Sequence, residues 1–377
     1  MTEPLVSKER IEQALALVQD PEIHRPITEL NMIDAIDVRA GNRIAVRVLL
    51  TVAACPMRTT IDRDVRAAVL DVPGVTEVSV EFGVMSDEQR AVLRSQLRGD
   101  AQDDVVPFAQ PHSRTRVYCV ASGKGGVGKS TVTVNLAAAM AARGLAVGVL
   151  DADIHGHSIP GMLGVTGVPT QVDRMIMPPT GRGVRVISIG MFLDADKPVV
   201  WRGPMLHRAL RQFLAQVFWG DLDVLLVDLP PGTGDIAISL AQLLPDAELL
   251  IVTTPQPTAA GIAVRAGAVA AETGQRVVGV VENMSWYDDP AGGRQALFGA
   301  GGGRAVSDRL TALLGSACPL LGRIPFHPDV GAAGDRGAPI VVAEPNSTAA
   351  SALRAVAQRL AVRPRGLAGR SLAVDVK

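Results

Sequence analysis

The sequence is poor in aromatic residues. Seven Phe, two Tyr and three Trp make up 3% of 377 residues, too few for the stacking platforms that hold single-stranded nucleic acid. Neither sign of charge prevails, with 37 Lys and Arg against 38 Asp and Glu. A chain so balanced exerts no general pull on nucleic acid or on an anionic membrane surface. Its three cysteines, Cys55, Cys119 and Cys318, are far apart and odd in number. That argues against a disulfide framework and for a reducing compartment. No uninterrupted apolar run approaches the about 20 residues of a membrane span. Met1-Thr2-Glu3-Pro4 lacks the basic and apolar regions of a signal peptide. The expectation is a cytoplasmic protein with neither nucleic acid nor membrane as partner.

What the chain does have is apolar residues, 47% of the total, and a length that suggests two domains. Residues 1–85 read as a small α/β unit. Ile11, Leu15 and Val18 recur at helical spacing, Ile44 to Thr51 is a mostly buried strand, and a helix runs from about Pro56 to Val69. Pro73-Gly74 turns into a strand from Val75 to Phe82. Cys55 stands at that helix start, where the helix dipole favours a thiolate. It admits two readings, a reactive or metal-binding thiol, or a small buried apolar residue. Residues 86–115 are polar and read as a linker. Residues 363–377 read as a mobile basic tail.

Residues 116–362 alternate strand and helix, with Val/Leu/Ile runs such as Val224-Leu225-Leu226-Val227. This predicts a mainly parallel sheet covered by helices on both faces, with ligands beyond the C-terminal strand ends. The most informative stretch is Ser122-Gly123-Lys124-Gly125-Gly126-Val127-Gly128-Lys129-Ser130-Thr131. It fits the phosphate-binding loop G-x-x-x-x-G-K-[ST] from Gly123 to Ser130, between a buried strand and a helix. Glycines let successive N–H groups face a phosphate, and the helix N-terminus adds partial positive charge. Lys129 reaches the β- and γ-phosphates of ATP, and Ser130 can bind Mg²⁺.

Carboxylates stand at two more strand ends. Asp228, at the head of Asp228-Leu229-Pro230-Pro231-Gly232, is placed to hold Mg²⁺ or its waters, and Gly232 to approach a γ-phosphate. Asp151 and Asp153 share that edge. Asp153 is assigned to orient the attacking water and Asp151 to support Mg²⁺, although spacing does not decide between them. His155 and His157 resemble a metal pair, but with no further ligand nearby a loop is the simpler reading.

Lys124 is not required by the basic loop. It resembles the signature lysine of the deviant Walker-A ATPases, the group of MinD, ParA and the nitrogenase iron protein. There it crosses a dimer interface to the partner's nucleotide, which implies a homodimer here. Four segments together resemble the Mrp/ApbC iron–sulfur cluster carrier ATPases. They are Asp151-Ala152-Asp153-Ile154-His155-Gly156-His157-Ser158-Ile159-Pro160, Trp201-Arg202-Gly203-Pro204-Met205, Asp228-Leu229-Pro230-Pro231-Gly232-Thr233-Gly234-Asp235, and Glu282-Asn283-Met284-Ser285. The N-terminal unit is similar to SufT/PaaD-like domains through Asp20-Pro21-Glu22-Ile23, Pro26-Ile27-Thr28-Glu29-Leu30 and Thr51-Val52-Ala53-Ala54-Cys55-Pro56.

The resemblance implies ATP hydrolysis with Mg²⁺, an iron–sulfur cluster as cargo, and apo-proteins or assembly proteins as partners. It implies adenine contacts at Asn283 and Pro325, and makes Cys55 a candidate cluster ligand. The competing class is a MinD/ParA-like switch or scaffold that docks a partner without a cluster. One departure supports it. The family's Cys-x-x-Cys pair after Glu-Asn-Met-Ser is missing, since residues 285–299 contain no cysteine, whereas a [4Fe–4S] cluster normally takes four Cys.

Overall fold

The structure is a computed structural model. It describes residues 6–23, 25–52, 55, 57–98, 105–153, 156–192, 203–232 and 234–361. Calls on Ile154, His155, Pro56, Trp201, Arg202, Thr233 and the tail 363–377 lie outside the described residues.

The chain divides into two compact units. The first contains α1 (Lys8–Leu15), β1 (Ile33–Arg39), β2 (Arg43–Leu50), α2 (Arg58–Leu70), β3 (Glu77–Val84) and α3 (Asp87–Arg98). Ser7 caps α1 by accepting from the Arg10 amide. β2 is central, antiparallel to β1 and parallel to β3. Ile11 and Leu15 from α1, and Ile61, Val65 and Val69 from α2, are fully buried in the unit's core. α3 corrects the linker reading of residues 86–115. It is polar on most positions, yet Leu93 is 1% exposed and Arg90 donates to the Met85 carbonyl. The first unit also takes in two later segments, Gly167–Pro179 and Gln216–Phe218.

The second unit follows the chain through β4 (Arg116–Ser122), α4 (Lys129–Ala141), β5 (Val147–Asp151) and α5 (Ile159–Met162). A hairpin, β6 (Thr170–Val172) and β7 (Met175–Met177), then joins the first unit. The second unit resumes with β8 (Thr180–Gly181), β9 (Val184–Ser188), α6 (Gly203–Gln216), β10 (Val224–Asp228), α7 (Asp235–Leu243), β11 (Glu248–Thr253) and α8 (Pro257–Thr273). It closes with β12 (Arg276–Glu282), the pair β13 (Tyr287–Asp288) and β14 (Arg294–Gln295), α9 (Gly302–Leu314), β15 (Leu320–Arg323), α10 (Asp329–Asp335), α11 (Ile340–Ala343) and α12 (Thr348–Leu360).

Its eight-stranded sheet has the order β15-β12-β11-β4-β10-β5-β9-β8, parallel except for the edge strand β8. β5 and β10 are buried at every position, as expected of strands covered on both faces. α4 packs against the sheet, α11 and α12, and is buried from Val132 to Met140. The register sets Asp228 opposite Asp151, and Asp151 opposite Ser188. Three polar side chains therefore meet at the C-terminal sheet edge, the edge beyond which open α/β sheets bind ligands.

Candidate functional site

The loop from Gly123 to Gly128 turns directly into α4. Gly126 and Gly128 have φ of +80° and +79°, a left-handed conformation that a Cβ disfavours. Gly123 is a glycine for another reason. A Cβ there would lie 2.4 Å from the backbone of Ile262 and Ala263, so α8 crosses directly over the loop. Gly125 has no such neighbour within 3.9 Å. Val127 is buried and Thr131 opens the first turn of α4.

Lys129 and Asp228 form the centre. The Lys129 ammonium donates to Asp228 Oδ2 at 2.5 Å, with 6% and 0% exposure of the two side chains. Ser130 Oγ donates to the same oxygen at 2.6 Å, and Thr133 Oγ1 to Oδ1 at 2.6 Å. Thr133 and Ser188 are functional neighbours that sequence reasoning missed. Thr133 lies one helical turn from Lys129, a spacing that would have placed it on the same face. Ser188 donates to Asp151 Oδ2 at 3.0 Å, while the Asp153 amide donates to Oδ1 at 3.2 Å.

Burial, and then the neighbouring Asp228 carboxylate, push the Asp151 carboxyl up to about 7. Two buried carboxylates thus face one ammonium across adjacent strands. This is a deficit of positive charge that a hard divalent cation suits. Ser130, Asp228 and Asp151 supply oxygens of the kind Mg²⁺ takes, with some of its waters retained. Asp153 is half-buried, and its Oδ1 accepts the Gly156 amide at 3.2 Å. His157 packs its ring against Gly190, where a Cβ would come within 2.3 Å.

Lys124 is half-buried, and its ammonium donates to Gln256 Oε1 at 3.0 Å. Gln256 was not foreseen, because nothing in the loop motif points so far along the chain. Gly232, at φ +96°, donates its amide to the Ser122 carbonyl at 2.9 Å. Asn283 is buried and donates from Nδ2 to the Val127 carbonyl at 2.9 Å. Its amide leaves no room for a Cβ at Gly128. Pro325 is buried beyond β15. The P-loop, Asp151, Asp153, Asp228, Gly232 and Asn283 therefore gather at one sheet edge.

Cys55 is half-buried in the first unit. The amides of Met57 and Arg58 favour its thiolate, yet burial outweighs them and pushes the thiol up, with Glu22 and Asp20 adding to the shift. The expectation that the helix start makes a thiolate is corrected on this point. Glu22 is itself pushed up to about 7, by burial first and by Asp20 second. Cys119 and Cys318 are 2% and 1% exposed, and burial lifts Cys119 to about 12. Among the described residues, the grouping of three metal-ligating side chains within reach of one another is His327, Asp329 and Glu344. It includes no cysteine.

Where the resemblance would place a Cys-x-x-Cys pair, the chain folds a small hairpin without thiols. Trp286 donates to Asp288 at 2.9 Å, and the guanidinium groups of Arg294 and Arg323 lie 4.4 and 5.3 Å from its ring. Arg323 also pairs with buried Glu282 at 2.9 Å. The hairpin is thus fastened by cation–π and ionic contacts.

Known proteins resemble both parts of the chain. Residues 113–361 match the family of ParA: NUBPL iron-transfer P-loop NTPases, and residues 8–80 match an iron-sulfur cluster assembly protein family. An iron-sulfur cluster carrier protein of Mycobacterium bovis is 60% identical over 97% of this chain and 96% of its own length. One from Synechocystis is 40% identical over 95% and 98%. A nucleotide-binding protein from Archaeoglobus fulgidus, solved with ADP, superposes with a TM-score of 0.52 at 35% identity, over 63% of this chain and 91% of that one. The chain belongs to the iron–sulfur cluster carrier family of P-loop NTPases, with an N-terminal iron–sulfur cluster assembly domain.

Proposed function

We propose that this chain hydrolyses ATP with Mg²⁺ as a nucleotide-dependent homodimer that carries iron–sulfur clusters to apo-proteins or assembly proteins in the cytoplasm. The observation that carries the ATPase reading is the Lys129–Ser130–Thr133 cluster on Asp228, at the mouth of the glycine loop. Bound Mg²⁺ would supply charge neutralisation for the β- and γ-phosphates. Lys129 then exchanges Asp228 for the phosphates, and the loop amides from Gly125 to Thr131 surround them. Asp228, Ser130 and Asp151 are the residues that would hold the metal. Asp153 orients the attacking water. Gly232 approaches the γ-phosphate and withdraws after cleavage. The Asn283 side chain anchors the loop through Nδ2 and offers Oδ1 to the adenine amino group, and Pro325 lines the base.

Lys124 reaches the second subunit's nucleotide after releasing Gln256. Lys124→Ala is expected to lower phosphate release by roughly a hundredfold or more while nucleotide binding survives. Unchanged turnover in that variant would remove the shared-site part of the reading.

Membership of the carrier family does not favour the other reading, an ATPase switch that docks a protein partner and carries no cluster, but the absence of cysteine from residues 285–299 makes it the one to test. Anaerobic reconstitution with iron and sulfide separates the two. Carriage requires stoichiometric iron and visible cluster absorption in the wild type, and a loss in Cys55→Ala places a ligand there. Wild type that takes up no stoichiometric iron leaves the switch.

A further inference from the structure

The hairpin β6–β7 lies in sequence within the nucleotide-binding region but folds as part of the first unit. Val172, Met175 and Met177 are at most 1% exposed, inside a core that also holds Leu15, Val46 and Val65. Its turn residue Asp173 pairs with Arg94 of α3 at 3.2 Å. Thr170 Oγ1 lies 3.3 Å from both carboxylate oxygens of Glu22. The Phe218 amide, from the other late segment of this unit, donates to the Ile176 carbonyl at 2.8 Å.

Both stems of the hairpin lead back to the carboxylate edge. Upstream, the chain comes from Asp153 through α5, whose Ile159 is fully buried. Downstream, β8 runs into β9, which ends at Ser188 on Asp151 Oδ2. The two stems touch within the second unit. A Cβ on Gly181 would lie 2.5 Å from the Leu163 carbonyl and 2.6 Å from Val165. The stems are thus packed on one another; the upstream one follows Asp153 in sequence, and the downstream one leads to Ser188 on Asp151, the two aspartates assigned to water and Mg²⁺ in the proposed reaction.

We propose that residues 167–179 are a coupling arm, through which nucleotide occupancy at the Asp151–Asp153 edge alters the seat of Thr170 on Glu22 in the first unit. This rests on the P-loop being the nucleotide site. Coupling of this kind requires that the two nucleotide states favour different seatings of one element. The arm is that element, because its tip is fixed in one core and its stems in the other.

Cys55 is a built-in reporter, since its thiol is half-buried and senses Glu22. Cys119 and Cys318 are buried and serve as slow internal controls. The experiment alkylates the full-length chain with N-ethylmaleimide and follows each cysteine by peptide mass spectrometry. It is run without nucleotide, with Mg·ADP and with a non-hydrolysable Mg·ATP analogue, whose binding is measured by calorimetry. In wild type, the Cys55 rate is expected to differ several-fold between the free and analogue-bound chain. Thr170→Val combined with Asp173→Asn abolishes that difference while the analogue still binds, and Thr170→Ser alone retains it.

A wild type that binds the analogue with an unchanged Cys55 rate overturns the arm. So does a difference that persists in the double variant. Failure of the wild type to bind the analogue overturns the P-loop reading itself, and the arm with it.

Discussion

At the scale of single residues, Asp151 shows how the sheet edge alters a side chain that the loop motif does not name. Burial and Asp228 raise its carboxyl from an ordinary 3.8 to about 7. The folded chain therefore keeps a proton that the unfolded chain releases near its ordinary value. Stability from this group is full at low pH and is lost as pH rises from about 4 to about 7, the reverse of a salt-bridged carboxylate. In Mg²⁺-free protein, Asp151→Asn should raise stability above pH 7 by a few kcal/mol at most and leave it unchanged near pH 4. Urea unfolding at the two pH values checks this, and a variant no more stable at the higher pH contradicts it. A companion test concerns Lys124, whose bond to Gln256 would have to break for it to serve a second chain in the proposed dimer. Gln256→Ala should tighten nucleotide-dependent self-association by up to about tenfold, the value of a modest hydrogen bond, as read by sedimentation.

At the scale of elements, the glycine loop holds both phosphate-shaped backbone and a packing contact, and single substitutions separate the two. Gly123→Ala forces a Cβ into the backbone of α8 at 2.4 Å and should cost about 1–3 kcal/mol of stability. Gly125→Ala meets nothing closer than 3.9 Å and should leave the unfolding midpoint in place. Equal losses in the two variants, measured by denaturant unfolding, would contradict the crossing of α8 over Gly123.

The loop and its strands were legible because β4, β5 and β10 are continuous apolar runs ending in Ser122, Asp151 and Asp228. α3 was not, since Leu93 anchors a helix whose other positions are largely polar. β6 and β7 are three residues each, too short for any periodicity. α9 hides behind Gly301-Gly302-Gly303, which reads as loop. Gly302 and Gly303 are there because a Cβ would strike the Thr254 and Pro255 carbonyls or Glu282. Ser188 needed the strand order and register before it could be assigned, Thr133 shows only as a helical turn from Lys129, and Gln256 lies too far along the chain for the loop motif to indicate.

At the scale of the whole molecule, the boundary between units does not follow the chain. The first unit draws on residues up to Val105 and then on Gly167–Pro179 and Gln216–Phe218. A fragment ending at Val105 thus lacks Val172, Met175 and Met177, which are at most 1% exposed in its core. Each buried side chain of this size contributes about 1.5–3 kcal/mol, and a domain's whole net stability is about 5–15 kcal/mol. Loss of three such residues, with the Arg94–Asp173 and Glu22–Thr170 contacts, removes a large part of that margin. The fragment 1–105 should therefore exchange its β2 amides far faster than the same strand does in the full chain. Adding the hairpin back by a flexible link after Val105 should restore much of the protection. Hydrogen exchange of β2 in the fragment, the fusion and the full chain decides the matter. Equal protection in fragment and full chain would show that the hairpin is only laid upon a core that stands without it.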